Sequence, residues 1–284
     1  MASITRRNRN KLINIGLNIV LYILLIIVIF PVIWMVLTSI KTSWQAQQLP
    51  PVWFFKPTLK NYISLFSNTS SSSNFKQLLI NSTIVSLIST ALSVVFGALA
   101  AYSLSRFKMK HRKDVAFFIL STRMFPPAAT LIPVFLMMVK LNLIDTYAAL
   151  IIPYTAFNLS FVVWMLKGFF DEIPNSLEEA AMVDGCSHLT AFTRVIFPLV
   201  APGLAATAII SLMFSWNEFM YALVLTRRYA VTVPVVANQF VTMYGVQWGE
   251  LTAAATIMTA PVLVFAIIVR NHMIKGLTFG SVKG

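Results

Sequence analysis

The chain has 284 residues, 58% of them hydrophobic and 11% charged, with a formal net charge of +13. Several apolar runs longer than eighteen residues exclude an ordinary soluble domain, since runs of that length read as membrane helices. The basic excess needs no nucleic acid, because Lys and Arg that orient spans and meet anionic lipid account for most of it.

Six windows, Ile15–Leu37, Leu78–Leu104, Val115–Val139, Ala148–Phe169, Gly203–Leu225 and Leu251–Val269, are each long enough to cross ~30 Å of hydrocarbon as a helix. They predict an all-α polytopic membrane protein. Residues 15–270 form a six-helix transmembrane domain, with tails at 1–14 and 271–284. The first window follows Arg6, Arg7, Arg9 and Lys11, as a secretory signal would. It runs past the roughly 7–15 residues of a signal core and no small-residue cleavage site follows, so it is read as a retained span. With the N-terminus inside, fourteen Lys and Arg flank the inner ends against seven outside, which places both termini in the cytoplasm.

Between the first two spans, Thr38–Gln77 holds Pro50, Pro51, Pro57 and the polar run Ser67–Asn74, the pattern of a loop or linker. Trp44, Trp53, Phe54 and Phe55 within it suit an interfacial aromatic belt better than a ligand contact. In the second span, Ser82, Ser86, Ser89, Ser93 and Gly97 share one helical face. Small residues at that spacing permit close helix packing, and the minority reading is a polar lining for translocation. Pro31, Pro126, Pro127, Pro133, Pro153 and Pro261 lie within spans and free backbone carbonyls that a neighbour or a wet cavity must satisfy, as a transporter allows.

Arg123 and Glu218 are ionisable residues inside spans, where such groups are costly and by default functional. Their depths differ by ~10 Å along the helices, which disfavours a direct pair. Each can instead face Asn158, Asn217 or a bound solute. A single intramembrane acid also disfavours a proton-relay carrier. Cys186 has no disulfide partner, and His111, His188 and His272 lack ligand spacing, so no metal site is expected.

The segment 171–202 concentrates five of the nine acids, against the basic habit of cytoplasmic loops. Ser176 and Glu179 fit a capping box and Gly185 a helix stop, giving a helix of about two turns. A second helix from His188 to Phe197 should end before Pro198. Two short protruding helices make a knob that can dock in a cleft. The chain holds no phosphate-binding loop and no nucleophile constellation, so no catalytic residue is named.

Glu179-Ala180-Ala181, then Gly185, Val195, Phe197 and Pro198, resembles the signature loop of ABC importer permeases, whose usual ending is Ile, any residue, Leu-Pro. Asp184-Gly185, Phe192, Pro198 and Pro202 resemble its carbohydrate branch. So do Ser215-Trp216-Asn217-Glu218-Phe219, Met124-Phe125-Pro126-Pro127, Leu131-Ile132-Pro133 and the ending Gly276–Gly284, which is similar to the smaller, six-span permease of maltose-type systems.

The resemblance implies a bacterial inner-membrane subunit that forms the pathway with a second permease. An ATPase dimer would bind the ATP, an extracytoplasmic solute-binding protein would deliver a sugar, and this chain would hold no cofactor. Glu179, Ala180, Ala181, Asp184, Gly185 and Pro198 would meet the ATPase, Glu179 serving either that contact or the cap. Gly280 and Lys283 of the tail would add a weaker contact. Trp216, Asn217 and Glu218, then Asn158 and Arg123, are the candidates for sugar contact, unless Trp216 packs against lipid or a helix. The rivals are an ABC permease for a polyol, phosphodiester or oligopeptide, and an ion-coupled carrier or channel.

Overall fold

The computed structural model describes residues 2–67, 74–243 and 245–279. It is helical almost throughout, apart from a two-stranded hairpin, β1 (Val241–Thr242) and β2 (Gly245–Val246), with Val241 paired to Val246. Among the described residues, five helical segments are long and apolar enough to cross a membrane: Asn14–Ser39, Phe75–Arg106, Tyr147–Glu172, His188–Trp216 and Trp248–Ile268. They belong to α1 (Ala2–Ser39), α4 (Phe75–Arg106), α7 (Tyr147–Glu172), α9 (His188–Ala191) with α10 (Phe197–Trp216), and α12 (Trp248–Phe279).

The predicted third span is broken. Helices α5 (Arg112–Thr122) and α6 (Pro127–Lys140) meet at 87°, so they make a sixth span only if the bent pair is counted as one. Two adjacent prolines cause the break. Pro126 adopts an extended conformation, φ −64° and ψ 133°, and Pro127 restarts the helix at a position where a missing N–H costs nothing. Pro31, Pro133, Pro153, Pro202 and Pro261 stay inside continuous helices.

The predicted fifth span is displaced. The second loop helix does not stop before Pro198; α9 (His188–Ala191) runs through a π-helical segment (Phe192–Ile196) into α10 (Phe197–Trp216). The wide turn, in which Phe197 N–H reaches Phe192 O, lets the helix pass the donor that Pro198 lacks. The helix then ends at Asn217, and α11 (Met220–Leu225) is separate.

The chain divides into two compact units. In the unit formed by 72–238 and 258–284, α4, α7 and α10 pack through the small-residue face read from the sequence. Ser93 Oγ donates to Thr155 O at 3.2 Å, and Ser89 Oγ lies 3.0 Å from Ser215 Oγ. A Cβ on Gly97 would sit 2.5 Å from Val162 Cγ1. This is close helix packing, as the commoner reading of the serines expected.

In the unit formed by 1–71 and 239–257, α2 (Ser43–Gln47) and α3 (Lys60–Phe66) follow α1. Asn61 Nδ2 donates to Ser39 O at 2.7 Å and Lys41 O at 2.8 Å, tying α3 to the end of α1. Lys41 is 2% exposed, its Nζ 4.3 Å from the Trp34 ring centroid and 5.1 Å from that of Phe55, and burial pushes its amine below the usual range. Trp44, Trp53 and Phe54 are exposed. Most of the polar run Ser67–Asn74 lies outside the described residues.

Candidate functional site

Two places gather the predicted residues. The first follows from the stop of α10 at Asn217. Beyond it Glu218 turns back to cap α11, its Oε1 accepting Tyr221 N–H at 3.0 Å and its Oε2 accepting Ala222 N–H at 3.3 Å. Tyr154 on α7 donates its hydroxyl to the same Oε2 at 2.7 Å. The acid is thereby held by three donors, which offsets the cost of burying a polar group.

A cavity of about 100 Å³ opens here, lined by Tyr154, Phe157, Asn158, Phe214, Ser215, Glu218 and Tyr221 with Pro127 and Pro153. Asn158 is 2% exposed. Its Nδ2 donates to Ser215 Oγ at 2.7 Å, while its Oδ1 is buried without a hydrogen-bond partner among the described residues. A hydroxyl or water in the cavity would satisfy that oxygen. Tyr221 OH is 2.6 Å from Thr130 Oγ1 on α6.

Arg123, at the break between α5 and α6, stands beside this cavity and does not line it. Its guanidinium lies 4.3 Å from the Phe157 ring centroid, 4.5 Å from Phe214 and 5.5 Å from Phe161, and Nη1 donates to Phe157 O at 3.0 Å. Among the described residues it makes no ion pair, with Glu218 or any other acid.

Of the five predicted sugar contacts, Asn158 and Glu218 meet in one cavity. Trp216 is turned away: it is 5% exposed, and its indole N–H donates to Met258 O at 3.1 Å, so it packs on α12. Asn217 returns its amide to Met213 O at 2.9 Å and points outward. Sequence reasoning missed Tyr154, Phe157, Phe214 and Tyr221. Tyr154 was within reach, since it precedes Asn158 by one helical turn.

The second place is α8 (Asn175–Val183). Its N-cap is Pro174, two residues before the expected Ser176, and no side chain caps it, so the predicted capping box is absent. Pro174 sets the boundary because the preceding Ile173 is forced out of the helical region. The stop at Gly185 holds: φ is +86°, Gly185 N–H donates to Met182 O at 3.1 Å and Cys186 N–H to Ala181 O at 3.0 Å. This is the paired closure that a glycine in the left-handed region permits.

Glu179, Ala180, Asp184, Gly185 and Pro198 are exposed, whereas Ala181 is 8% exposed and packs within its own chain. Gly280 and Lys283 lie outside the described residues. The acid that sequence reasoning passed over is Glu178, one turn before Ala181. It accepts from Tyr102 OH at 2.5 Å and pairs with Arg106 Nε at 3.2 Å, both from the end of α4.

At the far end of the same unit, Asp145 (φ +62°) accepts the backbone N–H groups of Arg227, Arg228, Tyr229 and Ala230 at 3.0–3.2 Å. Burial alone would raise its pKa, but these amides hold the carboxyl below its ordinary value of 3.8. A cavity of about 600 Å³ adjoins it, walled by Gln77, Tyr147, Arg228 and Tyr229.

Residues 93–278 match the family model described as binding-protein-dependent transport system inner membrane component. A probable ABC transporter permease, y4oR, of Sinorhizobium fredii is 40% identical over 83% of each chain. The sulfoquinovosyl glycerol permease SmoH of Agrobacterium fabrum is 37% identical over 87% of this chain and 86% of that one. The trehalose/maltose permease MalG of Thermococcus litoralis is 37% identical over 82% of this chain and 84% of that one. Among solved structures, a bacterial ABC transporter that imports the acidic polysaccharide alginate has the same fold, with a TM-score of 0.75 at 23% identity over 92% of this chain and 96% of that one. The family is one of transport permeases that reside in the inner membrane. The chain belongs to the binding-protein-dependent transport system inner membrane components, as an ABC transporter permease.

Proposed function

We propose that this chain is a permease subunit of an ATP-driven sugar importer and forms the pathway with a second permease. An extracytoplasmic binding protein delivers the sugar, and ATP is bound and hydrolysed by a separate ATPase dimer. The chain itself carries no catalytic step and no cofactor. Both termini face the cytoplasm, and residues 171–202 form the coupling loop within the 15–270 membrane domain.

The observation that carries this reading is the cavity at the break of α10. It gathers Glu218, the unpartnered Asn158 Oδ1 and the rings of Tyr154, Phe157, Phe214 and Tyr221 between spans. Aromatic faces suit sugar C–H surfaces, and amide and carboxylate oxygens suit hydroxyls. The relatives named for sulfoquinovosyl glycerol and for trehalose/maltose support a carbohydrate over a peptide or phosphodiester. Glu218 is held in the cavity wall by three donors.

Coupling is assigned to the exposed face of α8 and its turn, Glu179, Ala180, Asp184 and Gly185, with Pro198 on the following helix and Gly280 and Lys283 as a tail contact. The reading is tested by purifying the full complex, supplying candidate sugars with the binding protein and measuring stimulated ATP hydrolysis. Stimulation by a sugar supports it. Stimulation only by a non-sugar solute moves the chain to another branch of the family.

A further inference from the structure

The coupling assignment leaves open how a push on α8, a helix of nine residues, reaches the cavity. One path is covalent, through the turn at Gly185 into α9 and α10. The structure holds a second path, and it begins at Glu178. This side chain points away from the exposed face and is as buried as its partner, with side-chain exposures of 7% for Glu178 and 6% for Arg106. Arg106 Nε meets Glu178 Oε2 at 3.2 Å, and Tyr102 OH donates to Oε1 at 2.5 Å. His188 Nδ1 stands 3.6 Å from the same Oε1.

The other arm of Arg106 closes the ring. Its Nη1 donates to Ile173 O at 3.0 Å and to Asn175 Oδ1, the residues on either side of Pro174 at the start of α8. One guanidinium thus grips both the root and the first full turn of the helix. Tyr102 is wedged at 4.6 Å between ring centroids against Phe192 in the π segment. Beside this cluster, Ser105 Oγ donates to Asp171 Oδ1 at 2.7 Å and Arg112 Nη1 to Ser105 O at 3.1 Å, which ties the ends of α7 and α5 to the same end of α4.

Buried ion pairs are seldom worth their desolvation as stability devices, but removing one partner leaves an uncompensated charge, so the pair favours a single geometry. Here that geometry fixes α8 to the last turn of α4. From Arg106 the helix runs seventeen residues back to Ser89, about 26 Å at the rise of an α-helix. Ser89 Oγ contacts Ser215 Oγ, and Ser215 lines the cavity and accepts from Asn158.

We infer that Glu178, Arg106 and Tyr102 form a latch that makes α4 move with the coupling helix. They act as positioning residues: none of them lines the cavity, and Glu178 and Arg106 are buried away from the exposed face of α8. The adjacent glutamates of α8 then divide the work, Glu179 facing outward and Glu178 binding the helix to the span. This inference rests on the reading of α8 as the ATPase contact.

The test uses the whole reconstituted complex with its binding protein and a transported sugar, and compares E178Q, R106M, the double variant and Y102F. The measured quantities are ATPase retained on purification, ATP hydrolysed and sugar taken up. The latch predicts that E178Q and R106M retain the ATPase and hydrolyse ATP, while sugar carried per ATP falls about three- to thirtyfold, the range of coupling losses at such networks. The double variant falls no further than the worse single one, because both cut the same contact. Y102F, which deletes one hydrogen bond and no charge, falls less.

An unchanged ratio in assembled E178Q and R106M overturns the latch. If those two fail to assemble, Y102F decides, and an unchanged ratio there overturns it. Ala180→Arg on the exposed face separates this from failure of the coupling reading itself. If that variant keeps its ATPase and its uptake, α8 is not the contact. If it loses the ATPase while E178Q leaves the ratio intact, only the latch fails.

Discussion

Glu178 and Glu179 are consecutive in α8, yet Glu178 is buried against Arg106 and Tyr102 while Glu179 lies exposed. The helical step of 100° explains the split, since Glu178 shares its face with Ala181, three residues on, and that face meets the rest of the chain. The two alanines divide the same way, Ala181 inward and Ala180 outward.

The exposed and buried faces should therefore fail differently. Ala180→Arg is expected to leave the permease as heat-stable as the parent and to weaken ATPase retention. Ala181→Arg places bulk and charge in a packed site and should cost about 1–3 kcal/mol, seen as a lower melting temperature of the permease in detergent. Equal melting temperatures for the two variants would contradict the orientation of α8.

In the cavity, Asn158→Ala and Glu218→Gln should each lower sugar-stimulated uptake about tenfold, as expected when a group that bonds a substrate hydroxyl is lost. Trp216→Phe should leave solute preference unchanged and cost about 1–3 kcal/mol of stability, because it deletes the bond to Met258 O and leaves part of a buried ring's volume unfilled. A changed preference in the Trp216 variant would return that residue to the site.

The contact at Gly97 leaves no room for a methyl group without movement of Val162, since the added carbon would fall 2.5 Å from its Cγ1. Gly97→Ala should destabilise the α4 to α7 packing by about 1–3 kcal/mol. Combining it with Val162→Ala should recover part of the loss. A melting curve of the single and double variants checks this.

Asp145 gives a pH dependence with a definite sign. Its folded pKa lies below the ordinary value of 3.8, so its stabilisation is complete above that pH and fades as pH falls through the lower folded value. Asp145→Asn should lower the melting temperature at neutral pH and narrow the gap to the parent in strong acid. A gap that stayed constant with pH would mean that the amide cradle adds nothing beyond shape.

The spans were legible because hydropathy reads burial in lipid directly, and the serine face of α4 was legible because small residues recur at helical spacing. The break at Pro126 and Pro127 was visible as residues, but its 87° angle depends on where α5 and α6 find packing. The continuity of α9 into α10 was not legible, since Pro198 read as a helix end and nothing in the residues announces the π turn that precedes it. In the cavity, Glu218 and Asn158 stood out as polar residues in apolar windows. Tyr154, Phe157 and Tyr221 did not, because aromatic residues in a span look alike until the fold assigns them a wall. Glu178 was hidden for a different reason: its partner Arg106 lies 72 residues away and reads as an ordinary basic flank.

The most direct test is ATP-driven uptake by the complete complex in proteoliposomes, with a panel of neutral and acidic sugars, a polyol and a dipeptide. The account predicts uptake of at least one carbohydrate that requires both ATP and the binding protein and that falls about tenfold in Asn158→Ala and Glu218→Gln. Uptake confined to the polyol or dipeptide, or driven by an ion gradient without ATP, would contradict it.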